Sequence, residues 1–244
     1  MKKSLLALIF VLLSVQLFAQ ETETRSIDDF TSVSSSQSIR VILKKGSQPE
    51  VEVSTTGELE DVITDVKGED LVIEMASNKS YRNIEVEVTV YYQELEELKA
   101  SSSSRLSAEG LIKANNIEIK GSSSARIDVE VEAANVEISG SSSARIDVGV
   151  KSGNVEAKAS SSCRLTLSGN SDNFEAKVSS SGRIAATNFT CNNADVSASS
   201  SGKVEFNVEK ELVAKASSSG KINYGGNPAI VDSDSSSGGK VSRM

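Results

Sequence analysis

A run of three serines, closed by one small residue and one basic residue, recurs along most of the chain. Successive copies lie 18 to 21 residues apart, measured between their basic residues. These eight residues, called here the basic column, are Arg105, Arg126, Arg145, Arg164, Arg183, Lys203, Lys221 and Lys240. A period this regular is typical of repeat proteins in which each unit packs only on its neighbours.

Each repeat contains two short alternating segments. After every basic residue comes an aliphatic residue, such as Ile127 or Ile146, and apolar and polar residues then alternate. A second segment precedes each serine run, and its first inward column is predicted as Ile117, Val136, Val155, Phe174, Ala194, Leu212 and Ile230. Two strands per repeat without a helical period predict an all-β fold, a parallel β-helix (solenoid) with about 19 residues per turn.

The serine runs are predicted to form the corners between the two strands. Their hydroxyls are expected to bond nearby turn backbone and to form ladders along the axis. The position between serines and cation is expected to face inward and to accept only small side chains: Ser104, Ala125, Ala144, Cys163, Gly182, Gly202, Gly220 and Gly239. An asparagine column, Asn116, Asn135, Asn154, Asn173 and Asn193, is expected to be joined by stacked amides.

The first nineteen residues have the features of a secretory signal peptide. Lys2 and Lys3 precede an apolar run that ends near Ala19. Removing residues 1–19 takes the net charge from −8 to −10, because those two lysines are lost. We therefore expect an exported acidic protein, periplasmic or at the cell surface, with no membrane span in the mature chain and no nucleic-acid partner.

Residues 20–95 contain strands without serine repeats, such as residues 39–43 and 84–90. We predict that this region caps the first turn of the solenoid, because an open stack of strands invites aggregation. Residues 96–244 form the repeats, and 20–244 are predicted to be one structural domain. At the far end only three residues follow Lys240-Val241, so charged residues blunt that edge or another molecule covers it.

Catalysis has little support in the sequence. A serine nucleophile needs an activating base, the chain contains no histidine, and eight equivalent corners favour architecture over chemistry. We predict no catalytic residue, no cofactor and no metal site. Cys163 and Cys191 are 28 residues apart, about one and a half turns, which favours two separate buried thiols over a disulfide.

The basic column is the candidate binding site. Like charges repeated once per turn repel one another unless something balances or uses them. Acids such as Asp128 and Glu137 lie nearby in sequence, so one interpretation is a solvated, charge-balanced face. The other is a linear cationic stripe for an anionic polymer such as an acidic glycan.

Several segments together resemble a known family. They are the signal peptide, residues 30–33 and 39–43, "GEDLVIEM", "IEVEVTVYYQELEELKASSSSRL" and the serial "EISGSSSARI" units. Over residues 27–225 the chain resembles the putative auto-transporter adhesin, head GIN domain family, also called domain of unknown function 2807. The resemblance implies a right-handed β-helix and an exported envelope protein of the Bacteroidetes type, and it supplies no established activity.

The sequence thus predicts an exported, non-catalytic, adhesin-like or structural binding protein. One alternative is a polysaccharide lyase or hydrolase on a β-helix scaffold, although no interval above 21 residues leaves room for cleft-forming loops. Another is a scaffold that self-associates end to end through its C-terminal edge.

Overall fold

A computed structural model describes residues 20–77 and 79–244, and the predicted signal peptide lies outside them. This part of the chain forms 17 strands and a short 3-10 helix, Leu59–Asp61. The strands are β1 Glu21–Ser26, β2 Ser32–Ser35, β3 Arg40–Lys45, β4 Glu50–Thr55, β5 Val62–Lys67, β6 Asp70–Met75, β7 Val86–Tyr92, β8 Glu97–Ala100, β9 Arg105–Gly121, β10 Arg126–Gly140, β11 Arg145–Ala159, β12 Arg164–Val178, β13 Arg183–Ala198, β14 Lys203–Ala216, β15 Lys221–Gly225, β16 Ile230–Ser235 and β17 Lys240–Arg243. No helix in the described residues has the length and apolar character needed to cross a membrane.

The long strands β9 to β14 each make most of one coil. In β10, Ile127, Val129 and Val131 are buried while the alternate residues face outward. At Ala134 and Asn135 two successive residues are exposed, and alternation then resumes with Val136 and Ile138 buried. This break in the period-two pattern marks the bend at which the chain passes from one face of the coil to the other.

Adjacent coils pair in parallel, residue for residue. Arg126 lies opposite Arg145, and Gly140 lies opposite Ala159. The same register continues through β12, β13 and β14, with irregularities between Thr166 and Ser168 and around Ala186. The predicted β-solenoid is thereby confirmed, with about eight coils and a period of about 19 residues. Its right-handedness stays a prediction.

Every serine corner is a tight turn with left-handed backbone. In the run 122–125, Ser123 and Ser124 have φ of 49° and 65°, and the backbone N–H of Ala125 donates to Ser122 O at 3.0 Å. Two central residues with positive φ are the signature of a type I′ turn. The next coil is joined through backbone, since Ser124 N donates to Ser142 O at 2.9 Å. Within the described residues this backbone ladder, rather than the predicted hydroxyl ladder, connects the corners.

The inward position after the serines is as tight as the sequence predicts. Ser104, Ala125, Ala144 and Cys163 are almost fully buried, and a Cβ on Gly182 would lie 2.6 Å from Ala159 O. The asparagine prediction is also confirmed. The side chains donate Nδ2 to Oδ1 along the axis at 2.7 to 3.0 Å, in the pairs Asn135 to Asn116, Asn154 to Asn135, Asn173 to Asn154 and Asn193 to Asn173.

The N-terminal region also contributes a coil to the stack. β2 pairs in parallel with β8, and β3 pairs in parallel with β9. The connection between β2 and β3 is a ninth corner, in which Gln37 and Ser38 have positive φ and Ile39 N donates to Ser36 O. In space this coil lies between β6 with β7 and β8 with β9. β1, β4 and β5 add antiparallel pairings at that end.

The core is a narrow apolar column of aliphatic residues, widened at one level by three phenylalanines. The ring of Phe174 lies 5.0 Å from that of Phe189 and 5.5 Å from that of Phe206, centroid to centroid. Near the C-terminal end one inward prediction is wrong. Ile230 lies opposite Glu211 and is 57% exposed, and Val231 takes the position opposite Leu212.

Candidate functional site

The structure brings the predicted basic column together as a continuous row. Its eight members lie opposite one another from coil to coil, and Arg40 joins them as a ninth member opposite Arg105. Arg183 and Lys203 are half-buried and the others are exposed. At the strand spacing of about 4.8 Å, the row places one cation on every coil.

Most of this row has no acidic partner. Arg40 pairs with Glu87 at 3.1 Å, and Lys203 pairs with Glu205 at 2.7 Å. For the other members, no carboxylate of the described residues lies within 4.0 Å: Arg105, Arg126, Arg145, Arg164, Arg183, Lys221 and Lys240. Asp128 and Asp147 lie two residues further along the same strands and form no ion pair with the arginines. The row therefore keeps an uncompensated positive charge over five consecutive coils.

The acids of the second strand bind a different set of cations. A lysine lies two residues before the first serine of five runs and forms what we call the lysine column: Lys99, Lys120, Lys158, Lys177 and Lys215. Its members pair within a coil, as Lys158 does with Glu156 at 2.7 Å, and between coils, as Lys158 does with Glu137 at 3.0 Å. Hydrogen bonds to Glu156 and Glu137 hold the pKa of Lys158 above its ordinary value.

A long groove runs beside the serine corners, with a volume of about 1110 Å³. Three sets of residues line this corner groove. The first serines of nine corners form one edge, and the lysine column with Ser139 and Ser197 forms the wall. Between them lies a floor of small residues, Ala100, Gly121, Gly140, Ala159, Val178, Ala198 and Ala216. The basic column is not part of this lining, so the corners separate two distinct surfaces.

The sequence carried a signal for the groove that the prediction missed. The lysine column can be read as Lys, one small residue and then the serine run, as in "LKASSSS", "IKGSSS" and "AKVSSS". Sequence alone did not show that the small residue would leave open space beside the serines.

The two cysteines are separate, buried thiols, as predicted. Burial raises the pKa of Cys163 and that of Cys191 to about 12. Neither thiol belongs to the lining of the corner groove.

The fold and its two surfaces define a repeat protein of the parallel β-solenoid class, with a row of cations and a groove that follow the same axis. A sequence profile of the family described as "Putative auto-transporter adhesin, head GIN domain" matches residues 29–153 and 131–228. The chain belongs to this family.

Solved structures share the fold over nearly the whole chain. A putative adhesin from Parabacteroides merdae is 22% identical with a TM-score of 0.84, and a putative lipid binding protein from Parabacteroides distasonis is 23% identical with a TM-score of 0.85. Each alignment covers 92% of this chain and 96% of the other. A putative adhesin from Bacteroides fragilis is more distant, at 14% identity and a TM-score of 0.66, covering 93% and 97% of the two chains. No curated protein matches the sequence.

Proposed function

We propose that the protein is an exported, non-catalytic, adhesin-like binding protein of the cell envelope that holds an anionic polymer along the basic column. An acidic glycan is the ligand class that we favour. One observation carries the proposal: Arg105, Arg126, Arg145, Arg164 and Arg183 follow one another at coil spacing with no carboxylate of the described residues within 4.0 Å.

The electrostatics of this row favour a ligand with the same linear arrangement. Neighbouring arginines repel one another, and a polyanion laid across them replaces that repulsion with several attractions at once. Guanidinium groups also bind carboxylate and sulfate groups in a two-pronged geometry that a lysine cannot match. The side chains need no rearrangement of the backbone, because the parallel register already aligns them.

A binding role suits these surfaces better than catalysis. Catalytic groups take different roles at one place, whereas the basic column and the corner groove repeat one residue type from coil to coil. The chain has no histidine, and burial raises the pKa of both thiols, which keeps them protonated at neutral pH. The adhesin family and the residues at 1–19 support export.

A polyanion-binding measurement tests the proposal. Purified protein is assayed against a glycan array and a heparin-type polyanion at low and high salt. We expect salt-sensitive binding that weakens about tenfold or more when Arg126, Arg145 and Arg164 are all replaced by Gln. The matched control replaces Lys67, Lys113 and Lys151 by Gln, which removes three charges that are already paired with acids. Equal losses in both variants, or no binding by the folded parent, would refute the proposal.

End-to-end self-association is a second candidate function. In the last coil Ile230 is 57% exposed and Val231 is 44% exposed, so the C-terminal end leaves apolar surface uncovered. β17 pairs with β15, and its other edge has no partner in the described chain. Light scattering of Val241→Pro against the parent tests this edge, and an unchanged oligomeric state would count against it.

A further inference from the structure

The floor of the corner groove contains a buried hydroxyl without a partner. Ser35 is 3% exposed and lines the groove near its N-terminal end, opposite Ala100 of the next coil. Its Oγ makes no hydrogen bond within the described residues. A buried hydroxyl in this state lowers stability, and the same column carries Gly, Ala or Val in the other coils. A ligand that supplies a hydrogen bond to Ser35 accounts for a polar residue at this position.

A row of further hydroxyls follows the groove edge. The first serines of the corners, among them Ser122, Ser141, Ser160 and Ser179, are half-buried and line the groove. Their backbone N–H groups are committed to the neighbouring coil, as Ser141 N is to Gly121 O at 3.0 Å. The groove therefore offers side-chain hydroxyls and no free backbone edge. An extended peptide, which binds a sheet edge through main-chain hydrogen bonds, has no such edge here.

The wall of the groove is close to neutral. Lys99, Lys120, Lys158 and Lys177 each bind a glutamate of their own coil at 2.5 to 2.7 Å. A polyanion gains little from lysines whose charge is already balanced. An acyl chain would in turn cover hydroxyls and paired charges without bonding them, which is unfavourable. The remaining match is an uncharged polymer with hydroxyl groups and some apolar surface.

We infer that the corner groove binds a linear neutral glycan laid along the solenoid axis, with its hydroxyls bonded to the first serines and to Ser35. Nine corners contribute to the lining, so the groove is roughly 40 Å long at the strand spacing of about 4.8 Å. This site is separate from the basic column in position and in ligand chemistry, and it does not depend on the function proposed above.

The test is affinity electrophoresis of the purified protein in gels containing one of four neutral polysaccharides: hydroxyethyl cellulose, xyloglucan, galactomannan or dextran. We expect at least one to retard the protein, with an affinity that changes less than about twofold between low and high salt. Replacing Ser141, Ser160 and Ser179 by Ala should weaken that affinity about tenfold. The control replaces Thr166, Ser168 and Thr187 by Ala, which are exposed residues outside the groove, and should leave it unchanged.

Ser35→Ala separates binding from structure. Removal of the unpartnered hydroxyl should keep or raise the melting temperature of the free protein while it weakens retardation. A second variant, Ser160→Leu, should block the groove.

The inference is overturned by any of three results. The first is that none of the four polysaccharides retards the folded parent. The second is that retardation survives the triple serine variant and Ser160→Leu. The third is that retardation disappears at high salt and in the triple Arg→Gln variant, which would assign the binding to the basic column.

Discussion

Gly140 lies directly against Cys163 of the next coil, and a Cβ added to Gly140 would overlap the Sγ atom of Cys163. The same size relationship recurs along the corners. A small residue before one serine run faces the residue after the run of the next coil, and the two share one limited volume. Gly121 lies near Ala144, whereas Ala159 and Val178 lie against Gly182 and Gly202.

The first prediction concerns this shared volume. Gly140→Ala should lower the free energy of unfolding by about 1–3 kcal/mol, because the new methyl group overpacks the corner. Combined with Cys163→Gly, the change should cost less than the sum of the single variants, since the pair then resembles Ala159 with Gly182. Urea unfolding of the four proteins in this double-mutant cycle measures the coupling.

Gly149→Ala is the control for general effects of removing a glycine. A Cβ there meets the flexible Glu130 side chain at 3.2 Å, so we expect a change within about 0.5 kcal/mol. Additive costs for Gly140 and Cys163 would show that the two positions do not share volume.

The second prediction concerns the left-handed serines. Ser142 and Ser143 have φ of 47° and 64°, a conformation that costs most residues about 1–2 kcal/mol and that Asn and Gly adopt more easily. The double change Ser142→Asn and Ser143→Gly should therefore raise the free energy of unfolding by ~0.5–1 kcal/mol.

Ser141→Gly provides the comparison, because Ser141 has no positive φ. A glycine there only adds freedom to the unfolded chain, so thermal unfolding should show a loss of about 0.5–1 kcal/mol. A loss in both variants would mean that the corner serines contribute more than backbone conformation.

Much of the solenoid was predictable because equivalent residues become neighbours in a parallel stack. The 19-residue period alone was enough to place Asn135 against Asn116 and Arg126 against Arg145. The slip at Ile230 came from treating the spacing as constant in the last coil, where one residue more precedes the strand position.

Two features depended on contacts that the period does not encode. The coil made by β2 and β3 is hidden because 65 residues separate Arg40 from Arg105 and because Ile39, which is not a small residue, closes its corner. The role of the acids was also hidden. Glu137 is as close in sequence to Arg145 as to several lysines, and only the register shows that it binds Lys158.

The third prediction concerns the thiols. Burial raises the pKa of Cys163 and Cys191 to about 12, so the thiolate that reacts with alkylating reagents is scarce in the folded protein even at pH 9. We expect iodoacetamide to modify neither residue in the native state and both in denaturant, as followed by mass spectrometry. The raised pKa favours folding at neutral pH, and this contribution is lost as the pH rises above the unfolded thiol value of about 8.5. Rapid native-state labelling at pH 8 would contradict the burial of these side chains.

The last prediction uses the two ends of the asparagine ladder as its own control. Asn154 takes part in two amide hydrogen bonds, to Asn135 at 2.8 Å and from Asn173 at 2.9 Å, whereas Asn116 accepts one, from Asn135 at 2.7 Å. At about 1 kcal/mol per bond, Asn154→Ala should cost roughly 2 kcal/mol and Asn116→Ala about half as much. Denaturant unfolding of both variants measures the ratio. Equal costs would show that the amides act singly at their own bends, because only bonding between coils makes an interior rung worth more than a terminal one.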